Sequence, residues 1–215
     1  MFNFALLIMN YNEKQLEIIS VAEKLFSVKG FAGTSVREIA ESAGINVAMI
    51  SYYFNSKEKL MEAIFTTRTA RSTERLEKLL QDHTLMPFEK LDMLVDDYIL
   101  KLFDQHIFYK LMYFEQMLDQ NPAINKMLLQ LKRKNAELIT KLIEDGQQKG
   151  VFKENIDVPF LIQTIVGTII HSYINRENYR SINNLDHLSN DEFLKEYKVR
   201  LEKYIKDLIK ITISK

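Results

Sequence analysis

The chain has 215 residues, 47% of them hydrophobic, and its 29 basic residues are matched by 29 acidic ones for a formal net charge of zero. That size supports a core in one or two domains, and the balance excludes a protein drawn to nucleic acid or membrane by bulk charge. The absence of cysteine removes disulfide frameworks and thiolate metal sites and fits a reducing cytoplasm.

Residues 1–10, MFNFALLIMN, are apolar but lack the basic start, apolar length and small-residue cleavage site of a signal peptide, and they read as a frayed or docked tail. A first helix begins at Glu13, carries Ile18, Ile19, Ala22, Leu25 and Phe26 on one side, and ends near Gly30. Ser35 followed by Glu38 has capping-box spacing, and Val36, Ile39, Ala40 and Ala43 then form a short apolar stripe. Gly44 suits the left-handed turn that ends a helix. Asn46 is placed to cap the next helix, in which Ile50 and Phe54 share the inner face. Val47, Ala48, Met49, Ser51 and Tyr52 are left facing outward, an unusual surface for a short helix unless something meets it. Two short helices joined by a glycine turn make a helix-turn-helix, whose second helix fits the DNA major groove.

Asn55 or Ser56 caps a fourth helix that runs to about Gln81. Pro87 opens another to about Gln105, and residues 106–118, HIFYKLMYFEQML, are the most aromatic stretch. Asn121-Pro122 restarts the chain into a long helix that Gly150 stops. Residues 158–174, VPFLIQTIVGTIIHSYI, contain no acidic or basic residue other than His171, yet are too short and too interrupted to span a bilayer. A helix apolar on most sides is expected to be buried on most sides, here at a subunit interface that Gly167 lets a partner approach. A polar stretch, 175–190, precedes a last helix bearing Phe193, Tyr197, Leu201, Tyr204, Ile205 and Leu208.

The pattern Gly30-Phe31, Thr34-Ser35-Val36-Arg37, Ile39-Ala40, Ala43-Gly44-Ile45, Tyr53-Phe54 and Ser56-Lys57-Glu58, closing on Leu60, resembles the amino-terminal domain of TetR-family transcriptional regulators over residues 12–65. The resemblance implies an all-α protein, with a three-helix DNA-binding head at 10–57 and a larger helical bundle at 58–215 for effector binding and dimerisation. It further implies a homodimer, usually a repressor, that binds a palindromic operator on double-stranded DNA and is released by a small molecule of unknown identity. Ser35 and Arg37 then face the DNA backbone, Lys57 matches the family's phosphate-binding lysine, and Tyr52 and Tyr53 match its aromatic pair. Asn46, Val47, Ala48, Met49 and Ser51 are the candidate groove residues. Many relatives carry a basic residue at position 47, glycine or proline at 48 and tyrosine at 51; Val47, Ala48 and Ser51 depart from that pattern and shift readout toward apolar contacts and Arg37.

Phe103, Phe108, Tyr109, Met112, Tyr113, Met117 and His171 are candidates for an effector cavity, with packed core as the plainer alternative. Glu115, inside the aromatic run, reads by default as an exposed carboxylate on the opposite helix face. The expected dimer surface comprises Ile162, Ile165, Val166, Ile169, Tyr173, Tyr197, Leu201 and Tyr204. No catalytic constellation, cofactor motif or metal-ligand spacing stands out, the four histidines being far apart. The alternatives are a small-molecule binding bundle without specific DNA binding and, with less support, an all-helical enzyme.

Overall fold

The structure is a computed structural model that describes residues 11–119 and 121–215, without the side chains of 70–72. The reading of residues 1–10 as a tail lies outside the described residues. Among the described residues ten helices account for nearly all regular structure: α1 (Glu13–Lys29), α2 (Val36–Ser42), α3 (Val47–Phe54), α4 (Lys57–Gln81), α5 (Pro87–Asp104), α6 (His106–Leu118), α7 (Pro122–Gln148), α8 (Val158–Ile174), α9 (Arg176–Ile182) and α10 (Asn190–Ile213). Among the described residues the only β pairing is a bridge between Phe152 and Ser214. The chain forms two compact units, Met1–Arg75 with Gln105–Lys134, and Leu76–Asp104 with Asn135–Lys215.

In the first unit, side-chain caps set the helix starts. Asn12 and Gln15 cap each other at α1, the Ser35 hydroxyl accepts the Glu38 amide at α2, and Asn46 accepts the Ala48 amide at α3. Ser56, rather than Asn55, caps α4 by accepting the Lys59 amide. Asn55 instead takes the positive-φ turn after α3. Ile18, Ala22 and Phe26 of α1 meet Ile39 of α2, Ile50 of α3, and Leu60 and Phe65 of α4 in a core that α6 completes with Phe108, Leu111 and Met112. Burying side chains of this size contributes about 1.5–3 kcal/mol each. Glu23 of α1, nearly inaccessible, is held by Arg68 of α4 at 2.6 and 3.1 Å, the pairing that makes burial of the charge tolerable.

Three readings are corrected here. Glu115 is not an exposed carboxylate: it is 2% accessible, with the Phe31 amide beside its carboxyl. The packing of α6 against α1 turns this carboxyl inward. Burial raises the Glu115 carboxyl above the ordinary carboxylate value, with the Phe31 hydrogen bond pulling the other way. Beside it, Phe114 lies against Gly30, whose φ of +74° and lack of a side chain allow the contact.

In the second unit, Phe193, Tyr197, Leu201, Ile205, Ile209 and Ile213 of α10 recur every fourth residue and are all buried. They pack with Leu91, Val95, Ile99 and Phe103 of α5. Ion pairs run antiparallel along this seam, Asp92–Lys210 at 3.6 Å, Asp96–Lys206 at 2.6 Å and Asp104–Lys198 at 3.5 Å. The second correction concerns 175–190, which contains α9. That helix buries no residue, so it carries no hydrophobic period to announce it. Its register comes instead from Arg176 over the Tyr173 ring and from Arg180, which donates to the Leu188 carbonyl.

Helix α8 also differs from the expectation of burial on most sides. Within the subunit only Val158, Leu161 and Ile169 are buried. Phe160, Thr164, Gly167, His171 and Ile174 form an exposed row instead. Among the described residues no single helix is long and apolar enough to cross a membrane.

Candidate nucleic-acid interface

The turn between α2 and α3 is built by Gly44, whose φ is +61°, and is closed by the Ile45 amide donating to the Ala40 carbonyl at 2.9 Å. With Ile50 and Phe54 turned into the core, Val47, Ala48, Ser51 and Tyr52 are presented to solvent. Tyr52 is 76% exposed, its ring set edge-on to that of Tyr53 at 5.1 Å between centroids. Met49 and Tyr53 are half-buried. The eight residues of α3 include no charged side chain.

The polar groups around this helix are mostly committed. The Asn46 Oδ1 accepts the Ala48 amide at 2.9 Å, and the Ser35 hydroxyl is likewise occupied by capping at 3.1 Å. Lys29 is paired with Glu38, whose carboxyl is held below its usual range first by that hydrogen bond. Lys57 donates from Nζ to the carbonyls of Phe31, at 2.9 Å, and Thr34, at 3.0 Å, and lies 4.2 Å from the centre of the Phe31 ring. Two of its three N–H protons therefore tie α4 to the turn after α1, leaving one to reach outward. Arg37 is exposed on α2, and among the described residues no hydrogen bond or ion pair is found for it. The clamp on the Phe31 turn was not legible in the sequence; the signal was Gly30-Phe31, where a positive-φ turn leaves carbonyls and an amide in need of partners.

The structure thus brings the DNA-contact candidates to one corner of the first unit. It does not gather the effector candidates. Phe108 and Met112 are core residues there, Tyr109 and Tyr113 stack at 6.5 Å, and Met117 is exposed. Phe103 belongs to the second unit, edge-on to Tyr173 at 5.0 Å, as does His171, which is exposed beside Asn175. A half-open groove of about 290 Å³ between α8, α10 and the 153–157 loop contains none of these residues. Of the dimer candidates, Ile169, Tyr197 and Leu201 are buried within the subunit, Ile162, Ile165, Val166 and Tyr173 are half-buried, and Tyr204 is exposed. Among the described residues no group of three His, Asp or Glu side chains is placed to hold a metal ion.

Residues 18–64 match the family described as bacterial regulatory proteins, tetR family, and residues 87–202 match the tetracyclin repressor-like C-terminal domain. The chain belongs to the TetR family of transcriptional regulators. As such it is a DNA-binding regulator whose helix-turn-helix is α2 and α3. This regulator is 31% identical to the probable HTH-type transcriptional regulator YttP of Bacillus subtilis over 74% of its own length and 76% of that protein. It is 26% identical to the fatty acid metabolism regulator protein of B. subtilis, over 73% and 79% of the two chains. Its fold matches the ketosteroid transcriptional regulator KstR2 of Mycobacterium tuberculosis with a TM-score of 0.69 at 19% identity, covering 96% and 97% of the chains. The B. subtilis regulator FadR, solved with stearoyl-CoA, matches with a TM-score of 0.65 at 21% identity, covering 90% and 96%.

Proposed function

We propose that this regulator is a homodimeric repressor that binds a palindromic operator through α3 and releases it when a small molecule occupies the body. The observation that supports it most directly is the outward face of α3, a charge-free row of Val47, Ala48, Ser51 and Tyr52 on a helix-turn-helix. In this reading residues 10–57 supply the DNA contacts and 58–215 the effector and dimer surfaces, and the chain acts by binding rather than catalysis in the cytoplasm. Arg37 and the remaining proton of Lys57 reach phosphates, with Ser35, Asn46, Met49 and Tyr53 at the edge of the contact.

Dimerisation is supported by the exposed row on α8. Phe160, Thr164, Gly167, His171 and Ile174 are spaced four, three, four and three residues apart, the period of a helix–helix seam. Nothing within 4 Å of Gly167 occupies the space of a side chain there. Because Ile169 is inaccessible in the subunit, a charge there would unfold the protomer; Phe160→Glu tests the dimer without touching that core.

Selection of bound sequences from a random duplex pool, at two salt concentrations, tests the whole reading. An inverted repeat with half-sites about 34–36 Å apart is expected, bound more weakly as salt rises. Recovery of no motif would leave a small-molecule binding bundle with a silent head. Long-chain acyl-CoA is the first effector to try on the recovered operator, since a relative of this fold has been solved with stearoyl-CoA.

A further inference from the structure

The chemistry left available on α3 narrows what kind of operator the regulator reads. Guanine is ordinarily recognised in the major groove by an arginine or lysine fork on O6 and N7, and adenine by an amide that both accepts from N6 and donates to N7. Helix α3 has no arginine or lysine. The amide at its start, Asn46, accepts the Ala48 amide at 2.9 Å, so one lone pair of its Oδ1 and the orientation of the side chain are held by the cap, and a paired adenine contact has to be made from that orientation with the second lone pair. What α3 does offer is apolar: Val47 is 40% exposed, Ala48 is exposed, and the Tyr52 ring is 76% exposed, fixed edge-on to Tyr53. Of the four bases only thymine presents an apolar group, its 5-methyl, to the major groove.

We propose that the operator is read chiefly through thymine 5-methyl groups, packed against Val47, Ala48 and Tyr52, with Arg37 supplying charge from the flanking helix. This rests on α3 being the groove helix. Each half-site then carries thymines where Val47 and Ala48 come to lie, and Ser51, whose hydroxyl both donates and accepts, adds little discrimination. Val47 and Ala48 thereby become the residues that set specificity.

The test uses the full chain and the operator recovered by selection, with each thymine replaced in turn by uracil. Uracil keeps every hydrogen-bonding edge and loses only the methyl. At a contacted position the affinity is expected to fall about fourfold per methyl, and roughly 15-fold when both symmetry-related positions are changed. Val47→Ala should abolish the penalty at the position that Val47 reads while leaving the others, a coupling that a general loss of stability does not produce. The inference is overturned if uracil at every thymine leaves affinity within about twofold while 7-deazaguanine, which lacks the N7 acceptor, abolishes binding. Failure to select any sequence overturns the regulator reading itself, and so is distinguishable from failure of the methyl readout.

Discussion

Replacing Lys57 by alanine separates a stabilising role from a DNA-contacting one. The ammonium makes two partly buried hydrogen bonds, to the Phe31 and Thr34 carbonyls at 2.9 and 3.0 Å, and sits 4.2 Å from the Phe31 ring centre. Taking about 1 kcal/mol for each bond, at the lower end because water reaches the site, and about 0.5 kcal/mol for the ring contact gives a loss of roughly 2–3 kcal/mol. For a chain of this length that lowers the melting temperature by about 5–10 °C. Urea denaturation of the two proteins measures the difference directly. If the third N–H proton also reaches a phosphate, the slope of log affinity against log salt falls by about 1.8 for a dimer that loses two such contacts. A stability change below about 0.5 kcal/mol would refute the clamp, and an unchanged slope would remove Lys57 from the phosphate contacts.

Glu115→Gln keeps an acceptor oxygen beside the Phe31 amide and removes a carboxyl that burial raises above the ordinary carboxylate value. A raised native value means that the folded state holds the proton more tightly, so stability is fully present in acid and is lost as pH rises through the native value. The variant is therefore expected to be more stable than the parent at pH 7–8 and to lose that advantage as pH falls toward 4; melting curves across that range would show instead a constant difference if the carboxyl were not the cause. At Gly146 an added Cβ would lie 2.0 Å from the inaccessible Phe152 ring, which stands edge-on to Phe88 at 4.7 Å. Gly146→Ala should cost about 1–3 kcal/mol by overpacking, and Phe152→Leu in the same chain should recover part of it in a denaturation assay. Gly167→Ala is expected to stabilise α8 by about 0.5–1 kcal/mol in the protomer, whereas Gly167→Trp should raise the dimer dissociation constant measured by sedimentation; an unchanged constant would take Gly167 out of the seam.

Much of the architecture was legible because local chemistry and packing agree. Ser35 and Asn46 each cap a helix start that tertiary contacts also favour, and the bounds of α8 coincide with the run 158–174, which has no Asp, Glu, Lys or Arg. The family pattern likewise holds where it reflects the turn at Gly44 and the core residues Ile39, Ile50 and Phe54. Helix α9 was not legible, because a helix with no buried residue has no period. Nor was the scatter of the aromatic residues from 103 to 117 between the two units: helical spacing says that Phe108 and Met112 share a face, but not whether a cavity or another helix lies opposite.

The same limit explains the head. Gly30-Phe31 is visible in the sequence as a family signature, yet its physical content is a turn whose groups are claimed by residues far along the chain. Glu115 lies beside the Phe31 amide, Phe114 fills the face that Gly30 leaves open, and Lys57 takes the carbonyls of Phe31 and Thr34. The turn is therefore fixed jointly by α4, which starts directly behind the recognition helix, and by α6. A displacement of α6 relative to α1 must either part Glu115 and Phe114 from the turn or carry the turn with it, and Lys57 couples that turn to the start of α4. Because the Lys57 and Glu115 groups act on neighbouring atoms of one residue, their losses should not add: the doubly substituted Lys57→Ala, Glu115→Gln chain is expected to depart from the sum of the single effects by about 0.5 kcal/mol or more. Strict additivity in that cycle would show that α4 and α6 hold the turn independently, and that α6 has no purchase on the DNA-reading corner through Phe31.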